Sequence, residues 1–187
     1  LTVTNDNIFR WLAVGIGKQY VSPAQESMVL SIGTVSFVLP YLLLAAPAGY
    51  LADRFAKRQV ILVCKFAEIL LMLLAVAAIA AGSLTSLFIV LALMGAQAAL
   101  FSPARLMSLP EMLKPSKLSA ANGCMGLTTV LAMVLGAGVG NWLTDATGKF
   151  GQEKLWLSAS VLVGIALTGW AVSWCLRHID AANPRLP

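Results

Sequence analysis

Long apolar stretches alternate with short polar breaks along the whole chain, at intervals that suit helices crossing a bilayer. One crossing takes about 20 consecutive, mostly apolar residues. The pattern predicts six spans, at about residues 1–20, 28–50, 60–81, 84–109, 118–143 and 155–176, then a polar tail at 177–187. Residues 18–25, with Pro23, form the first outer loop, and Gly82-Ser83 is a tight exit from the third span. Pro110 to Pro115 reads as a loop, with Ser116 as the N-cap of the fifth helix. Residues 145–154 are polar and hold Gly148 and Gly151, while Pro40 and Pro47 predict kinks in the second span.

Composition narrows the class. The chain is 59% hydrophobic and 11% charged, and its mean hydropathy is +0.83. A soluble domain is excluded at these values, and an all-α, polytopic membrane protein is expected. The net charge of +5 does not indicate nucleic acid, because the cations sit at helix ends and form no patch. Cys64, Cys124 and Cys175 lie in apolar segments without metal-like spacing and read as small buried hydrophobes. No metal or cofactor is expected. The lone His178 has no nucleophile constellation around it, so the chain is not read as an enzyme. It opens at Leu1 without Met, inside a helix, and the true N-terminus is expected upstream.

Cations set the orientation. Arg54, Lys57, Arg58, Arg105, Lys114, Lys117, Arg177 and Arg185 fall on one side, against Lys18, Lys149 and Lys154 on the other. The positive-inside bias then puts both ends of the segment in the cytoplasm, and an even number of spans agrees.

Ionisable residues within the spans carry the candidate chemistry. Asp6 and Arg10 lie four apart on one face of the first helix and are spaced to pair. Arg10 is roughly 15 Å from the outer end of that span at the helical rise. Lys65 and Glu68 form an i,i+3 pair in the third span. A charge at the bilayer centre costs roughly 3 kcal/mol, so each should face protein or a wet cavity. Two readings follow, a polar or proton-linked pathway and an ion pair that fixes helix register. The fourth span supplies Gln97 and then Ser102-Pro103-Ala104-Arg105. Arg105 is either a headgroup or carboxylate ligand near the inner mouth or a snorkelling cation at the interface. Glu111 is placed to pair with Arg105 or with the cations at 54–58.

The one short connection dense in charge is Gly49-Tyr50-Leu51-Ala52-Asp53-Arg54-Phe55-Ala56-Lys57-Arg58, where an apolar helix is expected to end at Gly49-Tyr50. It resembles G-x-L-A-D-R-x-G-R-R, the loop between the second and third helices of major facilitator superfamily transporters. Gly49, Leu51, Ala52, Asp53, Arg54, Lys57 and Arg58 match, and Ala56 departs from the usual Gly. The run Gly123, Gly126, Gly136, Gly138 and Gly140 is similar to the family's glycine-rich fifth helix, without its usual Pro. Small residues at such spacing suit close helix packing. Trp142, Trp156, Trp170 and Trp174, near span ends or in the sixth span, read as interface anchors. Gly49 to Asp53 and Asn141 to Asp145 form a weak repeat, with Asp53 and Asp145 92 residues apart. Three spans lie between them, which is the spacing of an inverted three-plus-three repeat.

Four segments in order extend the resemblance: Asn5-Asp6-Asn7-Ile8-Phe9-Arg10, the 49–58 loop, Lys65-Phe66-Ala67-Glu68, and Phe101-Ser102-Pro103-Ala104-Arg105 through Leu109-Pro110-Glu111. Together they resemble the lysophospholipid transporter branch. That implies a six-helix N-terminal half of a transporter of about twelve spans, with the other half missing or supplied by a second chain. The implied function is movement of lysophospholipid across the bacterial inner membrane by alternating access. Asp6, Arg10 and Arg105, and with them Lys65 and Glu68, would form the substrate or proton pathway. Gly49, Asp53, Arg54, Lys57, Arg58 and Glu111 would form a cytoplasmic latch. The alternative is a proton-coupled exporter of small amphiphiles on the same fold, with Asp6 or Glu68 carrying the proton.

Overall fold

The structure, a computed structural model, describes residues 1–148 and 155–175, without the side chains of residues 111, 112, 147, 148, 155 and 157. The expected polar tail, with Arg177, His178 and Arg185, and the loop cations Lys149 and Lys154 lie outside the described residues. Among the described residues six α-helices follow one another: α1 (Thr2–Gln19), α2 (Glu26–Arg54), α3 (Lys57–Ala80), α4 (Leu84–Met112), α5 (Pro115–Gly148) and α6 (Leu155–Ser173). A short 3-10 turn, Pro23–Gln25, precedes α2. There is no strand among the described residues.

Among the described residues four helices, α2 to α5, are long and apolar enough to cross a membrane. Asp6, Arg10 and Lys18 keep α1 out of that set, and the apolar part of α6, Ser158–Ser173, is shorter. The 29 residues of α2 span about 43 Å at 1.5 Å per residue, more than a hydrocarbon core of about 30 Å. Its charged C-terminal turn therefore has room to stand outside the apolar layer.

Several boundaries differ from the sequence reading. α4 continues through Pro103 and Pro110 to Met112, and the expected loop shrinks to Leu113 and Lys114. Pro115 opens α5, which puts Ser116 inside the helix rather than at its cap. Proline suits the first helical position, where its missing N–H is not needed. Inside a membrane helix, neighbours and Ser or Thr side chains can satisfy the groups it frees. α2 likewise passes Gly49-Tyr50 and ends at Arg54, so Asp53 and Arg54 belong to its last turn. At the junction, Phe55 (φ −107°, ψ 154°) and Ala56 (φ −57°, ψ 122°) are extended. No left-handed residue is required, and alanine serves where the superfamily pattern has glycine. The left-handed turn lies at Gly82 (φ 62°), which closes α3 with Ser83 N–H donating to Ala78 O at 3.1 Å. Ser83 then caps α4 by accepting from Ser86 N–H at 3.3 Å.

α1 is the inner helix. Phe9, Leu12, Ala13 and Ile16 meet Met72 and Ala75 of α3, Leu91 and Met94 of α4, and Leu162 of α6 in one core. The other main pairings are α2 on α4, α1 on α5 and α3 on both α4 and α6. Glycines make two of these contacts very close. A Cβ on Gly95 would stand 2.1 Å from Phe37 O, and one on Gly140 would stand 2.6 Å from Ile8 O. Gly136 is as tight, with Asn7 Cβ at 2.5 Å, whereas Gly123, Gly126 and Gly138 meet nothing within 4 Å. The packing face of α5 is therefore the i,i+4 pair Gly136 and Gly140, not the whole glycine run.

Outer surfaces are apolar. Leu43 is 70% exposed, Val63 68% and Val134 65%, a distribution suited to lipid and unsuited to water. Cys64 is buried, but Cys124 and Cys175 are exposed, contrary to expectation. For Cys124 the reason is the helix it sits on, since α5 turns most of its surface outward.

Candidate functional site

A cavity of about 600 Å³ opens between α1, α2, α4 and α5. Asp6, Asn7, Arg10 and Trp11 reach it from α1, Phe37 and Tyr41 from α2, Phe101, Ser102 and Arg105 from α4, and Thr129 and Met133 from α5. Its size is that of a small-molecule site. The wall is apolar and aromatic apart from two guanidinium groups, one carboxylate, the Asn7 carboxamide and a few hydroxyls.

Asp6 is buried, and its Oδ1 has no hydrogen-bond partner among the described residues. The expected Asp6–Arg10 pair does not form. Arg10 Nη2 donates instead to Asn7 Oδ1 at 3.2 Å. Its guanidinium lies over the rings of Trp11 (5.7 Å) and Phe37 (5.8 Å), a cation–π arrangement that draws it across the cavity from its own helix to α2. Arg105 Nη2 donates to Thr129 Oγ1 at 3.1 Å and so links α4 to α5. Tyr41 Oη donates to Ser102 Oγ at 3.2 Å, linking α2 to α4. A second cavity of about 380 Å³ shares Val3, Phe101, Arg105 and Thr129 with the first.

Lys65 and Glu68 do not border either cavity. They form a buried ion pair, Nζ to Oε2 at 2.8 Å, and Glu68 Oε1 also accepts from Asn5 Nδ2 at 2.8 Å. Gln97 Nε2 donates to Cys64 O at 2.9 Å beside them. Of the predicted pathway residues, the fold thus collects Asp6, Arg10 and Arg105 and sets Lys65 and Glu68 behind α1.

Five of the six predicted latch residues, Gly49, Asp53, Arg54, Lys57 and Arg58, flank the α2–α3 turn. Arg54 stacks on Tyr50 and Phe55 and donates to Tyr50 Oη. Lys57 is wholly buried. Arg58 Nη2 donates to Trp174 O, just past α6, at 3.2 Å. Gly49 has open space around it. Glu111 lies in the last turn of α4, and its side chain is outside the described residues.

Sequence reasoning missed Tyr41, Thr129 and the aromatic pair Trp11 and Phe37. These are ordinary residues in apolar helices, and only the close approach of α2 to α4 and of α1 to α5 brings them to one space. Among the described residues no group of three or more His, Cys, Asp or Glu is placed to hold a metal.

Comparison with known proteins agrees with this architecture. The family model of the Major Facilitator Superfamily matches residues 5–187. Curated relatives include the lysophospholipid transporter LplT of Pectobacterium carotovorum, 31% identical over 97% of this chain and 41% of the relative. The protein of the same name from Serratia proteamaculans is 32% identical over 78% of this chain and 34% of its own length. That from Photorhabdus laumondii is 38% identical over 59% of this chain and 26% of its own. At most the chain spans about two fifths of these relatives, 41% for the first. No solved structure matches it. With the family model covering nearly all of its residues, the chain belongs to the major facilitator superfamily.

Proposed function

We propose that the chain is the N-terminal six-helix half of a secondary transporter that moves lysophospholipid across the bacterial inner membrane by alternating access. All six helices cross the bilayer in this reading, α1 inside the bundle and α6 against α3, with both ends of the segment in the cytoplasm. The second half comes from further sequence or from another chain. The observation that carries the reading is Asp6 Oδ1, an unpartnered buried acceptor in an apolar cavity that also holds two guanidinium groups. A buried acceptor without a partner is costly, and a zwitterionic headgroup would relieve it. Its ammonium would meet Asp6, its phosphate would meet Arg105 and Arg10, and the aromatic and aliphatic wall would take the start of the acyl chain. The relatives named lysophospholipid transporter support the substrate class.

The test is uptake of lysophosphatidylethanolamine by vesicles carrying the intact gene product. Arg105→Ala and Arg10→Ala are each expected to lower uptake about tenfold, the loss of one charge-assisted hydrogen bond. Unchanged uptake in both would remove the headgroup role.

The same carboxylate also favours a second reading, a proton-coupled exporter of small amphiphiles with Asp6 as proton carrier. A pH gradient that drives amphiphile exchange while leaving lysolipid movement untouched would select it.

A further inference from the structure

We propose that the buried Lys65–Glu68 pair acts as a register pin for α1, fixing through Asn5 the rotation at which Asp6 presents its carboxylate to the cavity. The part given to Asp6 rests on the transport reading above, but the pin itself does not.

Asn5, Asp6 and Asn7 occupy consecutive positions, about 100° apart around the helix. Each faces a different neighbour. Asn5 is fully buried and donates to Glu68 Oε1 at 2.8 Å. Asp6 lines the cavity. Asn7 lies against Gly136 of α5, donates to Val3 O at 2.8 Å and accepts from Arg10. Turning α1 by one residue would bring the Asp6 carboxylate toward Glu68, and two carboxylates at one buried site repel. The pair thus favours one rotation and opposes its neighbour.

The glycine face of α5 does not supply this selectivity. Gly136 and Gly140 let α1 come close but present no polar group to a particular residue of it. Lys65 completes the device, because its ammonium is held to Glu68 Oε2 at 2.8 Å and lies 6.0 Å from the centre of the Phe101 ring. Space for it comes from α6, where a Cβ on Gly169 would stand 2.7 Å from Lys65 Nζ. Contacts therefore run from Gly169 through Lys65, Glu68 and Asn5 to the residue beside Asp6. With 4% and 1% of their surfaces exposed, Lys65 and Glu68 hold this position without touching the cavity.

The experiment uses the intact gene product in membranes, with Cys64, Cys124 and Cys175 replaced by Ala. Val3→Cys serves as the reporter, since Val3 lines the cavity one turn before Asn7. Maleimide labelling of this reporter and lysolipid uptake are measured in the parent, in Lys65→Leu/Glu68→Leu and in Lys65→Leu/Glu68→Gln. Removing the acceptor is expected to slow labelling about fivefold and to raise the half-saturating lysolipid concentration by a similar factor. The maximal rate should stay within about twofold. The glutamine variant keeps an oxygen for Asn5 and is expected to restore both readings. Equal labelling in all three proteins, or a glutamine variant as impaired as the leucine one, overturns the pin. If the double leucine protein does not reach the membrane, Asn5→Leu makes the same comparison with the ion pair intact, and parental labelling there is the overturning result. A parent that carries no lysolipid sinks the transport reading, while the labelling comparison still decides the pin.

Discussion

Gly95 shows how much a single residue can do without announcing itself. It sits in an unbroken apolar run, and nothing in that run marks it as the place where α4 meets the backbone of α2 at Phe37. Gly95→Ala would drive a methyl group into that carbonyl and is expected to cost about 2–3 kcal/mol by overpacking. Thermal unfolding in detergent should show the loss. Gly138→Ala, which meets nothing within 4 Å, should leave the midpoint unchanged or slightly raised, since alanine favours helix over glycine. Asp6, Arg10 and Arg105 were legible for the opposite reason: a charge in a long apolar segment is conspicuous because it is expensive. Their mutual geometry was not legible. The i,i+4 spacing predicted an Asp6–Arg10 pair, but Trp11 and Phe37 give the guanidinium an aromatic bed that spacing along one helix does not reveal. Asn5 escaped because its partner, Glu68, is 63 residues away.

At the scale of elements, hydropathy located the helices well and their ends poorly. Pro110 and Pro115 bound an expected loop, but Pro110 lies inside α4, as Pro103 was expected to, and Pro115 starts α5. Close packing against neighbouring helices preserves what proline would break in water. The α2–α3 turn was legible as a motif, yet its side chains divide their contacts. Arg54 stacks on Tyr50 of its own helix, while Arg58 reaches across to the carbonyl of Trp174. A cation at a helix C-terminus stabilises it through the unpaired carbonyls there. Arg58→Met is therefore expected to cost about 0.5 kcal/mol. Amide exchange around Trp174 and Cys175 should quicken about twofold. No change in exchange there would show that the contact contributes nothing to holding α6.

For the molecule as a whole, the pairings carry information that neither residues nor helices do alone. Exchanging α1 with α4, α2 with α5 and α3 with α6 converts the α1–α5 contact into the α4–α2 contact and leaves α3–α6 in place. An inverted three-plus-three repeat, as expected from the spacing of Asp53 and Asp145, would produce that pattern. The expected topology is testable by side-specific labelling. Lys18→Cys should react from the outer face and Lys114→Cys from the cytoplasmic face, and reaction of both from one face would refute six spans. The latch expected from the 49–58 motif is tested at this scale too. Asp53→Asn is expected to change the transport rate and the accessibility of the cavity together, and no effect on either would remove it.

Where Gly95 touches Phe37 and Gly140 touches Ile8, backbone lies directly on backbone, so α2–α4 and α1–α5 behave as two planks with little give within them. Widening is left to the joints between the planks. Arg10 crosses one joint, from α1 to the Phe37 ring on α2, and Arg105 crosses the other, from α4 to Thr129 on α5. An anion drawn to both arginines would loosen each from its present partner and tug at both joints at once, so that occupancy itself becomes a mechanical event.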